Sequence, residues 1–143
     1  MRCILGTDGS PASLKAAQWI ARYLNFNEAS ELFLVYVFPL PADASAYEGI
    51  FDVPASGNDP RVQKVAAPVL ARTREALGAT KARVHDVSLV GVPAESIVQF
   101  AAEMRADLVV VGSRGRSPHR EILLGSVSGA VANRARCPVL VVR

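Results

Sequence analysis

The chain reads as a three-layer α/β/α sandwich built on a five-stranded parallel sheet. Two observations predict it. Five short runs rich in Val, Ile and Leu, at residues 3–5, 32–37, 84–87, 108–111 and 139–142, show no polar alternation, as strands buried on both faces do. Amphipathic stretches with helical spacing lie between them, giving the order β-α-β-α-β-α-β-α-β, and parallel strands joined by helices require right-handed crossovers. At 143 residues the chain fits one domain, 1–143, which buries roughly 70% of its extended surface.

Each helix carries its own start signal. Ser10-Pro11 places a capping hydroxyl before a proline at the first helical position, and Leu14, Ala17, Ala21 and Leu24 repeat at helical spacing. Val62, Val65, Ala66, Val69, Leu70 and Leu77 trace a second stripe, in which Pro68 would clash with the carbonyl of Lys64, so a kink or a late start is expected. Pro93 opens a third helix with Ile97, Phe100, Ala101 and Met104 on one face. Gly125-Ser126 opens a fourth with Val127, Ala130 and Val131. Residues 39–60 hold four prolines and two glycines and read as a long loop, of a length that suits either a lid or a disordered segment.

Composition narrows the function classes. Sixteen Lys and Arg against 13 Asp and Glu leave a net charge of +3, too mild for a dedicated nucleic-acid binder and better suited to small anions. No apolar run reaches the roughly 18 residues of a membrane span, and Met1-Arg2-Cys3-Ile4-Leu5 meets Asp8 too early for a secretory signal, so the cytoplasm is the expected compartment. Cys3 and Cys137 stand in no metal-ligand spacing and read as small core residues. Trp19 and Phe100 read as packing residues, and neither His85 nor His119 has a partner spacing that suggests a triad or metal site.

Ligands of open α/β sheets bind beyond the carboxyl ends of strands, where the strand order reverses. The unusual residues cluster at such ends: Gly6-Thr7-Asp8-Gly9-Ser10 after the first strand, and Gly112-Ser113-Arg114-Gly115 with Gly125-Ser126 after the fourth. Glycines allow positive φ and close phosphate approach, and the helix opening near Ser126 offers free amides and a positive dipole end. The spacing Gly112-x2-Gly115-x9-Gly125-Ser126 is therefore a phosphate cradle, without the lysine of the usual P-loop. Charge compensation falls to amides, a metal, or Arg114, Arg116 and Arg120, which equally suit a solvated basic surface. Asp8 could accept from ribose hydroxyls or cap the first helix.

These residues carry a family resemblance. Ile4-Leu5-Gly6-Thr7-Asp8-Gly9-Ser10, Asp107-Leu108-Val109-Val110-Val111-Gly112-Ser113-Arg114-Gly115, Glu121-Ile122-Leu123-Leu124-Gly125-Ser126 and the terminal 137–143 resemble the signatures of the universal stress protein family, over all but 39–60. The resemblance implies its ATP-binding branch, a Rossmann-like fold of the adenine nucleotide alpha hydrolase kind, and strand order 3-2-1-4-5. That order would place a strand between Cys3 and Cys137, about 9–10 Å, too far for a disulfide. It also implies that Thr7 and Asp8 contact adenine and ribose, that Val37 and Val111 line the base pocket, and that Ser113 and Val127 adjoin the phosphates. Pairing through Val139–Val142 into a homodimer is implied as well. Two departures stand out: Tyr36 where many members carry His, and Pro68 inside a helix that is usually continuous.

The expectation is an ATP-binding regulator in a stress response, using Mg²⁺ with the nucleotide, acting on an unnamed protein partner, with little or no hydrolysis. A nucleotide-independent dimeric interaction module on the same scaffold is one alternative. A weak ATPase or autokinase, with Ser113, Ser117, Ser126 or Ser128 accepting phosphate, is another. Thr7-Asp8-Gly9-Ser10 resembles in outline the SGGxDS loop of the N-type ATP pyrophosphatases but lacks the double glycine.

Overall fold

The computed structural model describes residues 1–41, 43, 52–114 and 124–143. Among the described residues nine elements alternate: β1 (Arg2–Gly6), α1 (Pro11–Tyr23), β2 (Glu31–Pro39), α2 (Pro60–Leu77), β3 (Arg83–Gly91), α3 (Pro93–Glu103), β4 (Leu108–Gly112), α4 (Ser126–Arg134) and β5 (Val139–Val142). All four strand pairings are parallel, and the order is β3-β2-β1-β4-β5. The order therefore reverses between β1 and β4. β2 and β3 both run longer than the apolar runs suggested, to Pro39 and Gly91, because their ladder continues after β1 has left the sheet.

Strand alternation divides the core. Cys3, Leu5, Leu34 and Val110 face Ala17, Ile20, Val62 and Leu70 of α1 and α2, while Ile4, Val35, Val109 and Val111 face Ile97 and Val131 of α3 and α4. Both faces are fully covered, which is why these strands lack polar alternation. Cys3 and Cys137 join opposite clusters and are both free thiols. Burial, with smaller contributions from Cys137 and Asp107, pushes the Cys3 thiol up to about 12, so it remains protonated and inert.

Capping follows the sequence at α1, where Ser10 Oγ accepts from the Ser13 amide at 3.3 Å. The expected late start of α2 is corrected. Asp59 caps it, accepting from the Arg61 amide at 2.9 Å, and Pro60 occupies the first helical position, where its missing N–H costs no bond. Pro68 sits on the exposed side of the continuous helix, so the Lys64 carbonyl it deprives of a donor can turn to water. Val65, placed on the apolar stripe by its spacing, is exposed.

The two sheet edges differ. A Cβ on Gly57 would clash with the Ser88 carbonyl oxygen, so the segment before α2 presses its backbone against β3. At the other edge, Pro138 and Val142 carbonyls accept from Val109 and Ser113 of the β4 side. Alternation then turns the peptide groups of Val139 and Val141 outward. Among the described residues, no helix is long and apolar enough to cross a membrane.

Two outcomes follow from this packing. Ile20 is wholly buried, so Ile20→Ala should lower unfolding free energy by about 2–5 kcal/mol in urea titrations. The Arg61 side chain, hydrogen-bonded to Asp59 at 2.7 Å, and the Arg61 amide hold the Asp59 carboxyl down to about 2 against an ordinary 3.8. Its contribution is complete above about pH 4 and is lost as pH falls through about 2. Urea midpoints of the wild type and Asp59→Asn should accordingly differ at pH 6 and converge at pH 2.

Candidate functional site

A cavity of about 510 Å³ opens where the strand order reverses. Its walls are the ends of β1, β2 and β4 and the first turns of α1, α3 and α4. Of the residues singled out from sequence, Thr7, Asp8, Val37, Val111, Gly112, Arg114, Gly125, Ser126 and Val127 all line it. Ser113 is buried directly behind the lining, and Gly115 lies outside the described residues, as do Arg116, Ser117, His119 and Arg120. A larger open groove of about 610 Å³ along the outer surface of α1, between Lys15, Trp19, Arg22, Tyr23 and Arg143, shares no residue with this cleft.

One end of the cleft is apolar. Gly6 makes this floor: a Cβ there would lie 2.9 Å from Ile97 Cδ1 and 3.2 Å from Val111 Cγ1. Val35, Val37, Pro39, Pro93 and Val127 complete the wall. The Thr7 amide donates to the Val35 carbonyl at 2.9 Å, where the β1–β2 ladder ends. Val37 lies two residues on, so its N–H and C=O turn to the side β1 has vacated and present a donor and an acceptor to the cleft. Val37 is not at the end of β2, as expected from sequence, but it is just past the end of β1.

The other end is polar. Gly125 is the N-cap of α4 and has no side chain to cap it, so the first-turn amides of Ser126, Val127 and Ser128 lack intrahelical acceptors. The turn is held from behind. The Ser113 carbonyl accepts from the Gly125 amide at 2.6 Å and from Ser128 Oγ at 2.9 Å, and the Ser113 amide donates to Val142 of β5 at 2.7 Å. Arg114, exposed, extends along this end.

The glycines act differently from expectation. Gly125 has φ −64°, and Gly112 is an extended β4 residue without positive φ. Close approach is what they supply. A Cβ on Gly112 would sit 2.6 Å from the carbonyl carbon of Ala12, and one on Gly125 would sit 3.1 Å from the Ser113 carbonyl oxygen. Left-handed backbone occurs instead at Gly9, φ 74°.

Asp8 lies between the two ends. Its Oδ1 accepts from the Ser10 amide at 2.9 Å, which fixes the carboxylate at the cleft rim and also meets part of the capping role considered from sequence. Thr7 contributes to the wall, but its hydroxyl turns away, 2.8 Å from Thr73 Oγ1 and 3.2 Å from Ser13 Oγ. Tyr36 likewise packs into the α1–α2 side of the core. Gly6, Ser10, Ser13, Val35, Tyr36, Pro39, Pro93, Ile97 and Ser128 also line the cleft and were not among the nucleotide contacts expected from sequence. The Pro93 helix start was a usable signal, since it follows the carboxyl end of β3.

A model of the universal stress protein family matches residues 1–143. The chain belongs to that family. Universal stress protein MJ0531 of Methanocaldococcus jannaschii is 34% identical over 146 residues, covering 99% of this chain and 81% of that one. The solved structure of protein MJ0577, from the same organism, superposes with a TM-score of 0.79 at 26% identity, over 99% of this chain and 94% of that one. A universal stress protein solved in complex with cAMP gives 0.62 at 28% identity, over 100% and 96%.

The contact at Gly112 has a measurable consequence. Gly112→Ala should cost at least about 1–3 kcal/mol in urea unfolding, because the obstructing atoms are backbone. Gly129→Ala is the control. The nearest atom there is Leu124 Cβ at 3.9 Å, and an interior helix position gains about 0.5–1 kcal/mol from alanine.

Proposed function

We propose that this universal stress protein binds ATP, as Mg·ATP, in the cleft between β1 and β4, and serves as a nucleotide-dependent regulator of a protein partner with little or no hydrolysis. The observation that carries the reading is the cleft's polarity. It joins an apolar slot with a peptide donor and acceptor to an uncapped helix N-terminus, with a fixed carboxylate between. An adenine in the slot offers an N6 donor and an N1 acceptor to the C=O and N–H of Val37. Val111 and Ile97 cover its face, Asp8 accepts from a ribose hydroxyl, and the amides of Ser126, Val127 and Ser128 take phosphate oxygens. Gly115 completes the phosphate spacing in sequence.

A relative solved with cAMP supports the nucleotide class. Among the described residues no three His, Cys, Asp or Glu gather as metal ligands, so Mg²⁺ would arrive on the triphosphate and supply charge neutralisation there. Asp8 is the one carboxylate among the described lining residues, and the ribose role employs it. The reading as regulator rather than catalyst rests on that allocation.

We also read β5 as the dimer edge. Its outward peptide groups at Val139 and Val141 are open to an antiparallel second copy, whereas the β3 edge is covered by the Gly57 segment.

ATP at 100 times its Kd should stabilise the chain by about 2.7 kcal/mol, raising Tm by several degrees. No shift and no binding at millimolar ATP would leave the nucleotide-independent module as the better reading, and a mass gain of one phosphate would favour the autokinase. Sedimentation should give twice the 15.2 kDa chain mass. Val141→Pro, which removes an outward N–H and leaves the β4 ladder intact, should return the monomer.

A further inference from the structure

The loop that carries Asp8 is gripped from behind by α2, a helix that contributes nothing to the cleft lining. Counting hydrogens shows how. Thr73, wholly buried, donates its only hydroxyl hydrogen to the Val69 carbonyl at 2.9 Å. Ser13 donates its own to the Ser10 carbonyl, also at 2.9 Å. In the 2.8 Å contact between Thr7 and Thr73 the donor is therefore Thr7. The Thr7 oxygen in turn accepts from the Gly9 amide at 3.3 Å. Both residues flanking Asp8 thus hang on one hydroxyl that α2 anchors.

Gly9 also lies against α2. It is left-handed, and a Cβ there would lie 2.7 Å from Arg72 Nη2, so the Arg72 guanidinium of α2 lies directly over it. The Thr7 hydroxyl and the Gly9 amide that it accepts from tie the backbone on both sides of Asp8 to α2. The Ser10 amide then completes the fixation of the carboxylate itself.

We propose that Thr73 is a positioning residue for the cleft: through Thr7 it sets the Asp8 carboxylate at the depth where it accepts from a sugar hydroxyl, so α2 determines how strongly the site prefers a ribose over a sugar without hydroxyls. This rests on the reading of Asp8 as the ribose contact. It reassigns the Thr7 side chain from base recognition to loop support, and it gives α2 a defined hold on the nucleotide.

The test compares Mg·ATP with Mg·2′,3′-dideoxyATP by calorimetry on the wild type, Thr73→Val and Thr73→Ser, with circular dichroism and urea unfolding on each. In Thr73→Val the Thr7 hydrogen has only the longer Ser13 contact left. ATP affinity should then fall at least threefold while dideoxyATP affinity stays within twofold, so the preference for ATP shrinks. Thr73→Ser, which keeps the hydroxyl, should retain the wild-type preference. A folded Thr73→Val that keeps the preference overturns the inference, as does one that loses both ligands equally. A wild type that binds both nucleotides alike removes the ribose role of Asp8 and this inference with it. A wild type that binds neither removes the nucleotide reading altogether.

Discussion

The end of β4 runs against the first turn of α1 so closely that no side chain fits between them. Gly112 faces the Ala12 peptide, and a Cβ would have to share space with its carbonyl carbon. Much of the functional end of the molecule follows from this contact. It brings the amino end of α1 to the mouth of the crevice between β1 and β4. There the Ser10 hydroxyl caps the helix and the Ser10 amide holds Asp8.

A crevice at that point is a consequence of topology. After β1 the chain crosses to β2 and after β4 it crosses to β5, so the two crossovers diverge along the sheet and leave a crevice between β1 and β4. The parallel sense of every strand then points helix amino ends to the same edge of the sheet. Each would attract anions, yet only α4 presents first-turn amides beneath a glycine cap within the cleft; α1 is capped by Ser10 and α3 begins with a proline that has no N–H. Capping chemistry thus selects among the helices that topology made equivalent.

Much of the fold was legible because each of its elements buries both faces or one stripe. The five apolar runs and the proline and serine helix starts all appear in the chain order, whereas the strand order with its reversal at β1 and β4 came from the family resemblance. Pro68 misled because sequence shows its lost hydrogen bond but not which side of α2 it occupies, and the exposed side tolerates it. Within the site, Asp8 and the Gly125-Ser126 turn were readable from their positions after strands, and Val37 and Val111 came from the family resemblance. The lining by Ile97 was not, since it belongs to the face of a helix that packing brings to the cleft.

The amino-acid sequence by itself determined the alternation of strands and helices, the glycine spacing after the fourth strand and the placement of Asp8 after the first, because these depend on local periodicity and on residues near in the chain. Tertiary structure alone decided what each of those residues does. Gly112 and Gly125 serve close approach instead of left-handed backbone, because Ala12 and Ser113 are set against them by packing between elements. Thr7 turns its hydroxyl to Thr73, 66 positions away, and so leaves Asp8 to face the cleft. A hydroxyl's partner is a matter of distance in space, and no spacing along the chain records it.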